Sequence, residues 1–191
     1  MSIIQILVSS LDDEFQNLHK RHLLIDTNFL IDAFKYPTQF NELLLYFERK
    51  GFTLVSIQAT LVEFAKGSKS IEDFSKKITY YNNIINRILP LDPQIHENVS
   101  DIIKVLLKKG GQLSYTDCLL LGTTMKYKDS IYLLTKDRSD VPISIFNVSA
   151  SIMIETQDNN CTFNIYEYRE EKYENILKKR IEDTNASDIP F

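Results

Sequence analysis

Four acidic residues stand at the margins of apolar segments, placed so that they could act together on one substrate. Asp26 follows His22-Leu-Leu-Ile25 and opens Asp26-Thr27-Asn28. Glu63 comes soon after the strand-like Phe52-Thr-Leu-Val-Ser-Ile57. Asp117 lies in Ser114-Tyr-Thr-Asp117, at the head of a leucine-rich stretch, and Asp137 closes Ile131-Tyr-Leu-Leu-Thr-Lys-Asp137. Carboxylates gathered at one point repel one another, and several would take up protons unless cations offset them. An all-oxygen set suits a hard divalent ion such as Mg²⁺ or Mn²⁺, which keeps waters and shares itself with substrate phosphate. One ion, or two about 4 Å apart, could assist an in-line displacement at phosphorus. Such chemistry needs no histidine base, and His19, His22 and His96 lie outside the four segments. His19 and His22 read as surface residues flanking the first strand.

Each acid also has a local reading. Asp26 could cap the helix that follows, as Asp, Thr and Asn all do. Thr60-Leu-Val-Glu63 and Ser114-Tyr-Thr-Asp117 both have the spacing of capping boxes. Asp137 and Asp140 could be plain turn acids in Lys-Asp-Arg-Ser-Asp. What favours a shared role is position: all four fall at one edge of the sheet that the flanking segments imply.

That sheet follows from the alternation of elements. Strands are expected over about 22–26, 53–57, 131–135 and 143–147, with helices over 28–35, 40–47, 58–67, 71–89, 94–109 and 115–127 between them. The helix over 71–89 rests on Ile71, Phe74, Ile78, Tyr81, Ile85 and Ile88 at near-helical spacing. A polar helix is expected over 11–20. Strands alternating with helices imply a parallel sheet, whose sites lie beyond the carboxyl ends of its strands. Residues 149–156 and 161–168, separated by Gln157-Asp-Asn-Asn160, read as a β-hairpin, and 169–182 as a charged helix. The division expected is a lead over 1–21, an α/β domain over 22–148, and a hairpin-and-helix appendage over 149–191.

Composition bounds the function. The chain has 191 residues, 43% of them hydrophobic, enough for one sizeable core. No apolar stretch is long enough to span a membrane, and the first residues lack the basic start of a secretory signal. A cytoplasmic location and no membrane partner are therefore expected. Cys118 and Cys161 are too few for a zinc module or a disulfide framework. A net charge of −4 is by itself adverse to nucleic acid, yet two divalent ions among four acids would bring it to about zero. Lysine clusters at Lys66/Lys69, Lys76/Lys77, Lys104/Lys108/Lys109 and Lys136/Arg138 could then meet phosphates or simply be solvated helix faces.

The motifs resemble those of the PIN-domain nucleases, the family that includes VapC-type toxins and ribosomal-RNA processing endonucleases. Ile25-Asp26-Thr27-Asn28-Phe29-Leu30 is similar to the family's opening motif, and Ser56 followed by Glu63 to its second. Tyr115-Thr-Asp117-Cys-Leu-Leu resembles the third, with Cys118 where a small residue is usual, and Leu133-Leu-Thr-Lys-Asp137 the fourth. The resemblance spans about 22–147. It implies a three-layer α/β/α fold with a mainly parallel central sheet. It further implies that Asp26, Glu63, Asp117 and Asp137 hold Mg²⁺ or Mn²⁺. Asn28 and Thr135 would support them by hydrogen bonds, with Asp140 as an extra ligand. The implied activity is metal-dependent hydrolysis of RNA, in a toxin with an antitoxin partner or in a housekeeping RNA-processing enzyme. Family members are often homodimers, and the helices 71–89 and 94–109 offer surface for that. The lead and the C-terminal appendage depart from a minimal toxin.

Other classes fit less well. A phosphatase of the haloacid-dehalogenase type wants a second acid at position 28, which is Asn. No nucleophile-elbow sequence supports a serine hydrolase, and no glycine-rich loop supports a nucleoside triphosphatase. A PIN-like module that binds RNA or protein without cutting it is the strongest competitor. Four mutually repelling acids are an expense that a pure binding surface has no reason to bear.

Overall fold

His22-Leu-Leu-Ile25 carries three consecutive buried apolar side chains, Leu23, Leu24 and Ile25. A short strand with both faces apolar must be covered on both sides, as in the middle of a parallel sheet. In the computed structural model, which describes residues 15, 17–106, 113–156 and 160–187, this segment is β1 (His22–Ile25) at the sheet's centre. The other strands are β2 (Thr53–Ile57), β3 (Arg87–Leu89), β4 (Ile131–Thr135), β5 (Phe146–Glu155) and β6 (Asn160–Tyr168). They form one six-stranded sheet in the order β3-β2-β1-β4-β6-β5. β3, β2, β1 and β4 run parallel, whereas β6 is antiparallel to both β4 and β5.

The helices are α1 (Thr27–Lys35), α2 (Pro37–Arg49), α3 (Gln58–Lys66), α4 (Ile71–Ile84), α5 (Pro93–Leu106), α6 (Tyr115–Lys126) and α7 (Glu170–Ser187). Alternate residues of each strand point to opposite faces, and two cores result. On one face, Phe29, Phe40, Phe47, Phe64 and Tyr81 from α1–α4 pack on Leu23, Ile25, Leu54 and Leu134. On the other, Ile95, Ile102, Leu119, Leu120 and Met125 from α5 and α6 cover Leu24, Val55 and Leu133. The protein is thus a three-layer α/β/α structure with a mainly parallel sheet, as the sequence implied.

Three elements differ from the sequence expectation. The helix expected over 71–89 ends at Ile84, and Arg87–Leu89 forms the edge strand β3 beside β2. The apolar spacing that suggested one long helix is not a core stripe: Ile71 and Phe74 are exposed, and within the observed helix Tyr81 is the residue that buries. The break is fixed by Asn86, whose side chain accepts a hydrogen bond from the Leu54 amide at 2.8 Å. Next, the strand expected at 143–147 and the first hairpin strand are a single strand, β5, irregular between Val148 and Ala150. Last, the hairpin, expected as an appendage, extends the central sheet: β6 pairs with β4, and Phe163 and Ile165 enter the first core. Phe163 lies 5.3 Å from Phe29, ring to edge. The polar helix expected over 11–20 and the turn at 157–159 lie largely outside the described residues. Of that lead, Phe15 and Leu18 are buried, and Lys20 forms a 2.7 Å ion pair with Glu167 of β6.

Candidate functional site

β1 and β4 are neighbours with Ile25 opposite Leu134, so the next residues along, Asp26 and Thr135, leave the sheet side by side. Asp26 is 4% exposed. One carboxylate oxygen accepts from the Thr27 amide at 2.5 Å. The other accepts from the Asn28 side-chain amide at 2.5 Å and the Thr135 hydroxyl at 2.6 Å. Thr135 is the hub: its oxygen also accepts from Asn28 at 3.0 Å and from the Asp137 amide at 3.0 Å. Asn28 and Thr135 thus both donate to the Asp26 carboxylate directly.

The remaining acids arrive on helix starts and a loop. Leu119, Leu120 and Leu121 seat α6 against the sheet, and Gly122 lets it approach α5 closely. Its N-terminus carries a complete capping box, in which Ser114 Oγ accepts from the Asp117 amide at 3.1 Å. The Asp117 carboxylate in turn accepts from the Ser114 hydroxyl at 2.6 Å. Asp137 and Asp140 follow β4. The Ser139 hydroxyl lies 2.8 Å from Asp137 and 2.9 Å from Asp140. Asp26, Asp117, Asp137 and Asp140 line one cavity, together with Thr135 and apolar side chains of α6. Glu63, on α3, joins from the side: it accepts from the Thr27 hydroxyl at 2.9 Å.

Two of the local readings hold as well. Asp117 is a capping-box acid and Asp26 a helix cap. Glu63 is not: α3 starts at Gln58 without a side-chain cap, and Glu63 turns to Thr27 instead.

The acids feel one another. Burial pushes the Asp26 carboxyl up to about 6, opposed by the Thr135 hydrogen bond and reinforced by the charges of Asp117 and Glu63. Asp117 is also raised, first by burial; Ser114 opposes this, and Asp140 and Glu63 add to it. A buried carboxyl held near neutrality, with further acids beside it, is a site where positive charge binds favourably. The donors are all oxygen, which suits a hard cation. In their present rotamers each carboxylate turns to a neighbouring hydroxyl or amide. Among the described residues no three His, Cys, Asp or Glu groups form a cluster that could hold an ion.

Sequence reasoning missed two contacts. The Thr27 hydroxyl that holds Glu63 was read only as part of a cap motif. Lys136 forms a 2.6 Å ion pair with the buried Asp32 of α1, and its amide donates to Asn28 at 3.3 Å. These bonds tie the loop bearing Asp137 and Asp140 to the helix that Asp26 begins. Several expected basic clusters are neutralised: Lys76, Lys77 and Lys104 pair with Glu72, Asp73 and Asp101. Lys108 and Lys109 lie outside the described residues. Among those residues no helix is long and apolar enough to cross a membrane.

Residues 23–139, more than half of the chain and including all four of the acids first singled out, match the PIN domain family. The chain belongs to the PIN-domain family. PIN domains are generally nucleases, and generally depend on a divalent metal. A solved structure, that of VapBC2 from Rickettsia felis bound to a DNA fragment from their promoter, is similar with a TM-score of 0.50 at 20% identity. The match covers 61% of this chain and 88% of that one, and at this identity it bears on the fold alone. No curated protein matches the chain. β5, β6 and α7 all lie beyond the family match, although β6 is hydrogen-bonded directly to β4.

Proposed function

We propose that this PIN domain is a Mg²⁺- or Mn²⁺-dependent endoribonuclease whose ion is held by Asp26, Glu63, Asp117 and Asp137, with Asp140 as an additional ligand. The observation that carries the reading is the buried Asp26 carboxyl, raised to about 6 and lining one cavity with three further aspartates. Structural acids are normally paired with a base or exposed. Here the nearby charges are of the same sign, a cost that a bound divalent ion would convert into affinity.

When bound, the ion supplies positive charge that offsets the acids and polarises the scissile phosphate and the attacking water. The protein's part is positioning. Thr135 and Asn28 hold Asp26 in place across β1 and β4, Thr27 orients Glu63, and Ser114 fixes Asp117 at the start of α6. Lys136 and Asp32 anchor the loop that brings Asp137 and Asp140 to the cavity. A toxin paired with an antitoxin protein is the biological setting this reading favours, supported by the resemblance of the four motifs to VapC-type toxins. A homodimer is part of the same reading.

The test is cleavage of an RNA substrate by the native chain and by Asp26→Asn, Asp137→Asn and Asp140→Asn. Asp26→Asn is expected to abolish cleavage, and Asp137→Asn to reduce it at least tenfold, with folding intact by circular dichroism. Asp140→Asn should be milder. Full activity in Asp26→Asn would overturn the nuclease reading. Equal losses at 137 and 140 would show that both acids are required ligands.

A further inference from the structure

A second polar cluster lies at the amino end of β4, away from the acids at its carboxyl end. Glu167 divides itself between two cations: one carboxylate oxygen takes Lys20 at 2.7 Å and the other takes Arg169 Nη2 at 2.6 Å. Lys20 and Glu167 are both buried, and Lys20 Nζ stands 4.8 Å from the centre of the Tyr132 ring. Tyr132 is three residues before Thr135, about 10 Å along the strand. Beside the triad opens a cleft of about 310 Å³, lined by Glu167, Arg169 and Tyr132 together with His19, Asn147 and Ser149. Of all its lining residues Tyr132 alone falls within the stretch that matches the family. The cleft is thus a product of the lead and the C-terminal strands, where this chain departs from a minimal PIN domain. We propose that it is a binding site for a small phosphate-bearing molecule, and this inference stands independently of the nuclease reading.

Charge carries the argument first. A tie between the lead and the sheet needs one cation for one acid, and here the cations are in excess. Lys172 Nζ donates to the Asn147 side chain at 2.5 Å and has no acid partner among the described residues. Lys20, Arg169 and Lys172 against Glu167 leave a formal charge of +2 around the cleft, in a chain whose net charge is −4. The neighbouring acid Glu170 is turned to Lys128. A phosphate monoester carries about −1.5 to −2 at pH 7 and matches that excess, where a carboxylate would offset half of it. Donor chemistry points the same way. The Arg169 side chain is 41% exposed beside the cleft, and its buried Nε has no hydrogen-bond partner among the described residues. A charged donor left unpaired is costly, and the guanidinium fork satisfies two of its N–H groups at once on phosphate oxygens. Asn147, Ser149 and His19 add neutral polar groups at the rim. The volume is at the lower end of small-molecule sites, which run from about 300 to 1,000 Å³. It admits a phosphate with a modest ester group and excludes a folded partner.

The test is calorimetric titration of the native chain with inorganic phosphate and, separately, with adenosine 5′-monophosphate. Chelator is present so that no ion links the anion to the acids, and about 150 mM salt screens exposed lysines. Saturable binding of one equivalent is expected. Equal affinities would identify the phosphate group alone as the ligand, and tighter binding of the monophosphate would show that the ester group is held as well. Arg169→Gln should weaken binding about 10- to 150-fold. Ser149→Phe, which fills the cleft and leaves the ion triad in place, should abolish it, and this variant decides the matter if Arg169→Gln does not fold. Asp26→Asn should bind as the native chain does. No saturable binding below about 10 mM, or native affinity in Ser149→Phe, would overturn the site. Loss of binding in Asp26→Asn would overturn it too, since the anion would then sit at the acids.

Discussion

Asp26→Asn exposes the electrostatic cost built into the acid cavity. Burial, helped by the charges of Asp117 and Glu63, lifts the Asp26 carboxyl from 3.8 to about 6, against the hydrogen bonds from Thr135 and Thr27. A folded-state value above the unfolded one means that the native protein holds the proton more tightly. Stability conferred on the protonated form is therefore full below about pH 4 and is lost as pH rises through about 6. The gap corresponds to about 3 kcal/mol at pH 7 and above. Asparagine carries no charge and escapes that cost. It must, however, turn its own amide toward donors that a carboxylate oxygen accepted from, Thr27 on one side or Asn28 and Thr135 on the other, a loss of about 1 kcal/mol. The net expectation is a variant about 2 kcal/mol more stable than the native chain at pH 8 in chelator. At roughly 2–4 °C per kcal/mol for a chain of this size, Tm should rise by about 4–8 °C. Near pH 4 the order should reverse, because only the mispaired amide remains. Thermal or urea unfolding of both proteins from pH 4 to 8 measures this. A stability difference that does not change with pH would refute the reasoning, since it would mean that Asp26 is charged or neutral alike in both states.

Other perturbations probe the framework. Thr135→Val removes the hydroxyl shared by Asp26, Asn28 and the Asp137 amide. It should cost about 1–3 kcal/mol in urea unfolding and lower cleavage at least tenfold. Gly122→Ala would place a Cβ 2.8 Å from the Ile95 carbonyl and 3.0 Å from Val99, so α5 and α6 must separate. A loss of about 1–3 kcal/mol is expected, with a Tm below the native value. Truncation after Asn147 removes most of β5 and all of β6, including Phe163 and Ile165 in the first core. At about 3–5 kcal/mol for one buried phenylalanine, against 5–15 kcal/mol for a whole domain, the truncated chain should not fold. A truncated chain with native circular dichroism and activity would show that the tail is an appendage after all.

The candidate site was legible because its acids end or follow apolar runs, and the parallel arrangement of those runs dictates a shared edge. β1, β2 and β4 could be read from short, mostly apolar stretches bounded by polar residues. β3 could not: it is three residues long, and Ile85 and Ile88 continue the spacing of the helix before it. Asn86, which stops that helix, acts through a residue 32 positions earlier. The alternation in 149–168 disclosed a half-buried hairpin and left unstated which strand it would join. Joining β4 depends on Asn164 and Ile165 meeting Thr135 and Leu134, a pairing that no local pattern encodes. For the same reason Thr27 with Glu63, and Asp32 with Lys136, were invisible. A residue type announces that it can form a bond, and only the fold selects the partner.

The most direct test of the central claim is cleavage of single-stranded RNA by the native chain after exhaustive chelation, followed by return of one ion at a time. The account predicts an inactive apo-protein, recovery with Mg²⁺ or Mn²⁺, and no recovery of Asp26→Asn under the same conditions. Undiminished cleavage by the native chain in excess chelator would contradict it.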